Sequence, residues 1–308
     1  MQNDDTPRQL YALYGRLNLL TNNTASGPAI GTAQNERAYL LGHSALEHRR
    51  LLIQSSFLRP WTTRCLRAAG VTQGMSVLDI GSGLGDVAHI AAEIVGPGGR
   101  VVGVERDPTA VEMALRRTQS EGYSEYVAFE TAALDEFETT ERFDALVGRF
   151  VLIFQADPAA VLRRLSHFVR PGGVVVMHEM DFEATDVSQP VCPLWNDSYA
   201  LLAELFKTRG LAPDFGRRLT RTLLDAGLPW PDIDMAGTPG GKPGSTVFHW
   251  LGSALLAVAP LLDQAGIELP EGVVIDESLT ARLEHAALAQ RSQVQGPILY
   301  GAWARLPL

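Results

Sequence analysis

The stretch Val77–Asp86, reading Val-Leu-Asp-Ile-Gly-Ser-Gly-Leu-Gly-Asp, constrains this chain more than any other. An apolar run, Val77, Leu78 and Ile80, carries one acid, Asp79, and breaks into Gly81, Gly83 and Gly85. A helical pattern follows at once in Val87, Ile90, Ala91 and Ile94. Strand, glycine turn and helix, in that order, open a doubly wound nucleotide-binding unit. Glycines let the backbone pass close to a ligand with no Cβ between them. The helix behind offers free N–H groups suited to an anionic group. The turn alone does not say which nucleotide it serves.

The following residues keep the rhythm. After the turn Gly96-Pro97-Gly98-Gly99, a strand over Arg100–Val104 ends in Glu105-Arg106-Asp107-Pro108. An acid at the end of the second strand, about twenty residues past the glycines, is where such folds hold ribose hydroxyls. A carboxylate suits that task because it accepts from two adjacent hydroxyls at once. A helix over Thr109–Glu121, a strand over Tyr126–Glu130 and a strand over Phe143–Gly148, running on through Arg149–Ile153, come next. A helix through Ala159–Val169 closes at Arg170-Pro171-Gly172-Gly173, and Val174–Met177 gives a fifth strand. The alternation predicts an α/β fold, a doubly wound parallel sheet covered on both faces. Its ligand belongs at the carboxyl ends of the strands, by the switch point.

The flanks are helical. Residues 1 to about 35 are polar and then turn-rich, and read as a loose or ligand-ordered arm. From Asn35 to Ala69, Leu46, Ile53, Phe57 and Leu58 share a helical face, with Pro60 separating two helices. Beyond Glu179 come a helical stretch over Pro190–Gly210, a sheet-covering helix over Phe215–Ala226 and a sixth strand at Ile233–Met235. Helices over Phe248–Leu262 and Leu279–Ala289 precede a final strand, Ile298–Arg305. The organisation expected is an N-terminal helical arm or cap at 1–69 and a core at 70–308. Insertions at about 186–212 and 243–293 would build the rest of the cap over the sheet's carboxyl edge.

Composition excludes some partners. A formal net charge of −9 over 308 residues gives no electrostatic case for nucleic acid or an anionic membrane. Cys65 and Cys192, the only cysteines, read as reduced cytosolic thiols. The longest apolar window, Ala254–Leu262, is short for a bilayer span and contains Pro260, and the N-terminus lacks the apolar run of a signal peptide. The expectation is a soluble cytoplasmic protein.

The glycine spacing narrows the nucleotide. A dinucleotide fingerprint is Gly-x-Gly-x-x-Gly, whereas here Gly81-Ser82-Gly83-Leu84-Gly85 is one residue short before the third glycine. Asp79 and Asp86 beside the loop oppose a pyrophosphate but suit a ligand carrying an ammonium or sulfonium charge. In these features the chain resembles the class I S-adenosylmethionine-dependent methyltransferases. Val77–Asp86 looks like their first motif and Val101–Pro108 like their second. Phe143–Phe154 and Val169–Met177 resemble the fourth- and fifth-strand motifs. The flanks, Tyr39-Leu40-Leu41-Gly42-His43-Ser44 through Glu47, Arg50 and Gln54, and the tail Gly296-Pro297 through Gly301-Ala302-Trp303-Ala304-Arg305, are similar to a bacterial small-molecule subgroup.

The resemblance implies a seven-stranded, mostly parallel Rossmann-like sheet and S-adenosyl-L-methionine as cofactor. Gly81, Ser82, Gly83 and Gly85 would line its methionine portion, with Asp79 ordering the loop and facing the ammonium. Glu105 would hold the ribose hydroxyls, Arg106 would flank the adenine, and Arg149 would lie near the methionine end. Tyr39 and Gln54 would close over the cofactor from the cap. The third motif departs from the family pattern: Thr131-Ala132-Ala133-Leu134 stands where relatives often have Gly-Asp, so backbone groups of Ala132, Ala133 and Leu134 would replace the usual carboxylate at the adenine amino group.

The implied reaction is in-line methyl transfer, for which alignment and exclusion of water supply much of the acceleration. An oxygen acceptor also wants a base, and His178 with Glu179, just past the fifth strand, are the catalytic candidates. His43, Trp195, Tyr199, His249 and Trp250 fall in cap segments and are the substrate-binding candidates, pointing to a flat or apolar metabolite. The fourth-strand exit, Gly148-Arg149-Phe150-Val151, lacks the Pro-Pro-aromatic signature of nucleic-acid amino-methylating enzymes. His43 and Glu47 lack a third ligand nearby, so no metal is expected. The reading is O-methylation of a small, mostly apolar or aromatic metabolite in secondary metabolism, with the arm as a candidate homodimer contact and the oligomeric state left open. The alternatives are C-methylation of an electron-rich ring or alkene, a non-catalytic cofactor-binding scaffold or sensor, and, third, a nicotinamide-dependent oxidoreductase.

Overall fold

A computed structural model describes residues 45–184 and 186–308, with side chains from Phe57 onward. Ten strands are present among these residues: β1 Ser76–Ile80, β2 Arg100–Glu105, β3 Val127–Thr131, β4 Phe143–Arg149, β5 Val169–Asp181, β6 Ser188–Gln189, β7 Asp232–Ala236, β8 Pro239–Gly240, β9 Gln293–Gln295 and β10 Ile298–Arg305. Seven form one sheet in the order β3-β2-β1-β4-β5-β10-β7. Strands β3 to β5 are mutually parallel, while β10 runs antiparallel to both β5 and β7. The strand order reverses between β1 and β4, which is the switch point where a doubly wound sheet opens a crevice at its carboxyl edge. Strands β6, β9 and β8 make a separate small sheet.

The helices are α1 Ala45–Ala68, α2 Asp86–Val95, α3 Pro108–Glu121, α4 Pro158–Ser166, α5 Pro193–Thr208, α6 Leu219–Asp225, α7 Thr246–Gln264 and α8 Leu279–Ala289. Pro60 does not divide α1 into two helices as its sequence suggests. Proline removes one N–H from the helical ladder, but Leu58, Trp61, Cys65 and Leu66 all bury their side chains and hold the helix through it. Helix α1 packs against α7, α2 and β5. Its close seat on the sheet depends on Gly301 of β10, where a Cβ would stand 2.8 Å from Cys65 Sγ and 3.4 Å from the Trp61 ring. Gly301→Ala is therefore expected to lower stability by about 1–3 kcal/mol, the usual penalty of overpacking. A urea midpoint equal to that of the parent would show that α1 is not seated there.

Strand β5 is longer than its sequence core of Val174–Met177, because β10 pairs along it from Arg305↔Val174 to Ile298↔Asp181. The segment read as one helix over Phe215–Ala226 begins instead as a 3₁₀ turn, Phe215–Arg218, that leads into α6. Gly216 lets that turn press on the Tyr300 ring and the Met180 backbone. Helix α7, 19 residues with a mean hydropathy of 1.4, is long and apolar enough to cross a membrane, unlike the shorter window read from the sequence. Its Val247, Phe248, Trp250, Leu251, Leu255 and Val258 belong to the main core, against α1, α5 and α8. Both cysteines are buried free thiols.

Candidate active site

Strand β1 delivers the chain to the crevice. Val77, Leu78 and Ile80 are buried on alternate faces, and the backbone then turns through Gly81, Gly83 and Gly85, with φ of +61°, +52° and +81°. All three lie in the left-handed region that glycine alone enters without strain. Gly81 has a second reason: a Cβ there would meet Val151 Cγ2 at 2.5 Å. Gly81→Ala is accordingly expected to destabilise the chain by about 2 kcal/mol or more and to weaken cofactor binding with it. Parent-like melting of that variant would contradict the contact with Val151. Gly85 ends the turn and Asp86 opens α2, whose N-terminus has no side-chain cap.

The acid of the second strand closes on this turn. Glu105 Oε2 accepts from the Gly83 N–H at 3.0 Å, while Oε1 accepts from Arg106 and Asp107 N–H at 2.8 and 3.1 Å. Ser82 N–H donates to Val104 O, and the Ser82 hydroxyl is buried without a partner. Ala132 N–H donates to Glu105 O at 3.0 Å, which ties the half-buried Ala132-Ala133-Leu134 turn to the same edge. Arg106 is exposed beside it. The turn, Glu105 and the loop after β3 thus converge at the carboxyl ends of β1, β2 and β3.

A row of ionisable side chains crosses the sheet under α1. Asp79 on β1, Arg149 on β4 and His178 on β5 share one face, and Arg149 is in register with His178. The two acids flanking the turn, which the sequence treats alike, have separate fates. Asp86 is ion-paired to Arg149 at 3.3 Å and to Arg117. Asp79 is 1% exposed, and neither of its oxygens has a well-formed hydrogen bond. Burial pushes its carboxyl up to about 8, against the pull of the Arg149 guanidinium and the Ala88 amide. An orphaned buried carboxylate at the glycine turn is what an ammonium group completes. Arg149 also donates to Thr62 Oγ1 of α1 at 3.1 Å, which links the covering helix to the row.

His178 is 1% exposed, with both ring nitrogens unpartnered and its ring 4.7 Å from that of Trp61. Burial, with a smaller push from Arg149, lowers its pKa to about 3, so the imidazole is neutral at ordinary pH. Glu179 lies on the opposite face of β5, as neighbours on a strand must. Its Oε1 accepts from Val151 and Leu152 N–H at 3.1 and 2.8 Å, and burial raises the carboxyl to about 8. The loop it holds is strained: Phe150 has φ +56°, an unfavoured geometry for a bulky residue that costs on the order of 1–3 kcal/mol.

Among the substrate-binding candidates, the structure groups Tyr199 and Trp250 with Phe57 as a chain of ring contacts within the core. Phe57 and Trp250 stack at 6.3 Å, and Trp250 and Tyr199 meet at 6.3 Å. The Tyr199 hydroxyl is buried without a partner, and burial raises its pKa. Trp195 continues the same group, stacked on Tyr199 at 6.5 Å and edge-on to Phe248, with its N–H donated to Gln295 O. His249 is exposed, separated from this group because successive residues on a helix point about 100° apart. Tyr39, His43 and the Gln54 side chain lie outside the described residues. Trp61, Thr62 and Val151 were not singled out from sequence. Only the i, i+3, i+4, i+7 spacing of Leu58, Trp61, Thr62 and Cys65 marks that face of α1.

The sheet order, with the glycine turn and the second-strand acid at its carboxyl edge, is that of the Rossmann-like methyltransferase fold. Residues 71–210 match the family described as "Methyltransferase domain", and this match, with the methyltransferases among the relatives, supports a class I S-adenosylmethionine-dependent methyltransferase domain there. It is 29% identical over 182 residues to an uncharacterised 37.1 kDa protein of transposon TN4556 from Streptomyces fradiae, covering 57% of this chain and 49% of that one. It is 27% identical to the ubiquinone/menaquinone biosynthesis C-methyltransferase UbiE of Hahella chejuensis, covering 48% of this chain and 57% of the relative. The chain therefore spans roughly half the length of these curated relatives. A solved Bacillus halodurans protein, itself assigned to the methyltransferases by inference, shares the fold with a TM-score of 0.53 at 15% identity, covering 80% of this chain and 99% of that one.

Proposed function

We propose that this chain transfers a methyl group from S-adenosylmethionine to a small, mostly apolar or aromatic metabolite. The observation that carries the reading is Asp79, a buried carboxylate left unpaired beside three left-handed glycines while its neighbour Asp86 is neutralised. The cofactor supplies an electrophilic methyl on a sulfonium. Asp79 would take its ammonium group, Glu105 its ribose hydroxyls, and the amides of the 132–134 turn its adenine edge. Arg149 keeps the Asp79 side of the crevice from accumulating uncompensated negative charge. Helix α1 and the rings of Phe57, Trp250 and Tyr199 would exclude water from the acceptor, which favours a flat, apolar ligand.

An oxygen acceptor is the leading reading, with His178 as the proton acceptor of the row. A neutral imidazole with a pKa near 3 is a weak base, so it serves an acceptor that is already acidic, such as a phenol or enol. Carbon on an electron-rich ring is the second reading, favoured by the C-methyltransferase named among the relatives. Natural-product metabolism in the cytoplasm, without nucleic-acid or membrane partners, belongs to the same proposal, as does a homodimer. Incubation with methyl-labelled S-adenosylmethionine and a panel of phenols and quinols tests it. Label in an acceptor is expected; cofactor bound with no label transferred to any member would favour the scaffold reading.

A further inference from the structure

Glu179 is well placed in the crevice yet its carboxyl does not face open space. Oε1 accepts from the amides of Val151 and Leu152, and the carbonyl of the preceding residue, His178, accepts from Phe150 N–H at 2.9 Å. Three successive amides of the β4 exit loop are thereby tied to two successive residues of β5. The loop needs such a tether, because Phe150 sits in the left-handed region. What the tether fixes is the Val151 side chain. Its Cγ2 stands 2.5 Å from where a Cβ on Gly81 would be, and its Cγ1 stands 3.1 Å from the equivalent point on Gly148. Val151 therefore occupies the space that two glycines leave, and it touches the first residue of the cofactor turn.

We propose that Glu179 is a positioning residue: by clamping the loop at Val151 and Leu152 it presses Val151 against Gly81 and so sets the shape of the glycine turn. The loop at the end of β4, on the acceptor side, and the turn at the end of β1 become one mechanical unit. A catalytic base would need its carboxyl turned to the acceptor; here one oxygen is spent on amides, and burial keeps the group neutral near pH 7. Glutamine has the same shape and the same accepting oxygen as a neutral glutamic acid, so it should do the same work.

Amide hydrogen exchange on the unliganded chain tests this without relying on the cofactor assignment. Glu179→Ala is expected to speed exchange in peptides covering 149–154 and also in those covering 80–86, whereas Glu179→Gln leaves both near the parent. Faster exchange at 149–154 with 80–86 unchanged would overturn the proposal, as would a glutamine variant that behaves like alanine. If Glu179→Ala does not fold, Val151→Ala keeps the clamp and removes the contact. It should loosen 80–86 alone, and parent-like exchange there overturns the coupling. A second arm rests on the proposed function. S-adenosylhomocysteine should bind Glu179→Ala about tenfold or more weakly and Glu179→Gln within about threefold, the first corresponding to one lost charge-free tether of a binding loop. Equal affinity in the parent and the alanine variant contradicts the proposal. Failure of the parent itself to bind would remove the cofactor reading and leave the exchange result to decide the coupling.

Discussion

Glu105→Ala is expected to weaken binding of S-adenosylhomocysteine by about a hundredfold, the equivalent of two charge-assisted hydrogen bonds of about 1.5 kcal/mol each. In the absence of ligand, the carboxylate is held by three backbone N–H groups, those of Gly83, Arg106 and Asp107. Those bonds hold the carboxylate at the carboxyl end of β2, beside the glycine turn, where the proposed ribose diol would meet it. Alanine removes the acceptor and also frees the Gly83 amide, so the turn loses a tether along with its ligand contact. Glu105→Gln should fall between, because one accepting oxygen remains and the charge is gone. Titration calorimetry of the three proteins checks the order; parent-like affinity in the alanine variant would remove Glu105 from the site.

Asp79→Asn is expected to act in opposite directions on stability and on binding. An unpaired buried carboxyl is a liability in the unliganded chain, and burial raises its pKa to about 8 from an ordinary value near 3.8. The sign follows from linkage: the unfolded carboxyl releases its proton near pH 4 and the folded one near pH 8, so folded stability falls as pH rises between those values. Asparagine carries no such proton. The variant should melt at the same temperature as the parent near pH 4.5 and at a higher one at pH 8. Its affinity for the cofactor should drop by about tenfold or more, since the ammonium loses a charged partner. A variant that is both less stable at pH 8 and unchanged in binding would show that Asp79 only orders the loop.

The sheet, the glycine turn and the acid that closes on it were largely readable from sequence because each depends on local chemistry. Three glycines fix a turn, Val77, Leu78 and Ile80 mark β1 and Val101, Val102 and Val104 mark β2, and an acid ends β2. Ile298–Arg305 was recognisable as a strand for the same reason. What escaped depends on partners distant in the chain. Asp79 and Asp86 look equivalent until Arg117 and Arg149 arrive at one of them alone. Glu179 reads as a base from sequence, which does not show that one of its oxygens accepts from amides of a loop 28 residues earlier while the other is buried without a partner. Trp195 and Tyr199 sit one helical turn apart on α5, yet one hydrogen-bonds into the small sheet and the other leaves its hydroxyl free. Pro60 reads as a break because sequence shows the missing N–H and not the buried face that compensates.

The central claim is that the glycine turn, Glu105 and Asp79 form a seat for S-adenosylmethionine rather than for a dinucleotide. Titration of the parent chain with S-adenosylhomocysteine, and separately with NAD, at pH 7 in two buffers of different ionisation enthalpy tests it most directly. The account predicts saturable binding of S-adenosylhomocysteine with release of a proton as Asp79 ionises against the ammonium, and no binding of NAD. NAD binding, or no binding of S-adenosylhomocysteine at millimolar concentration, would contradict it.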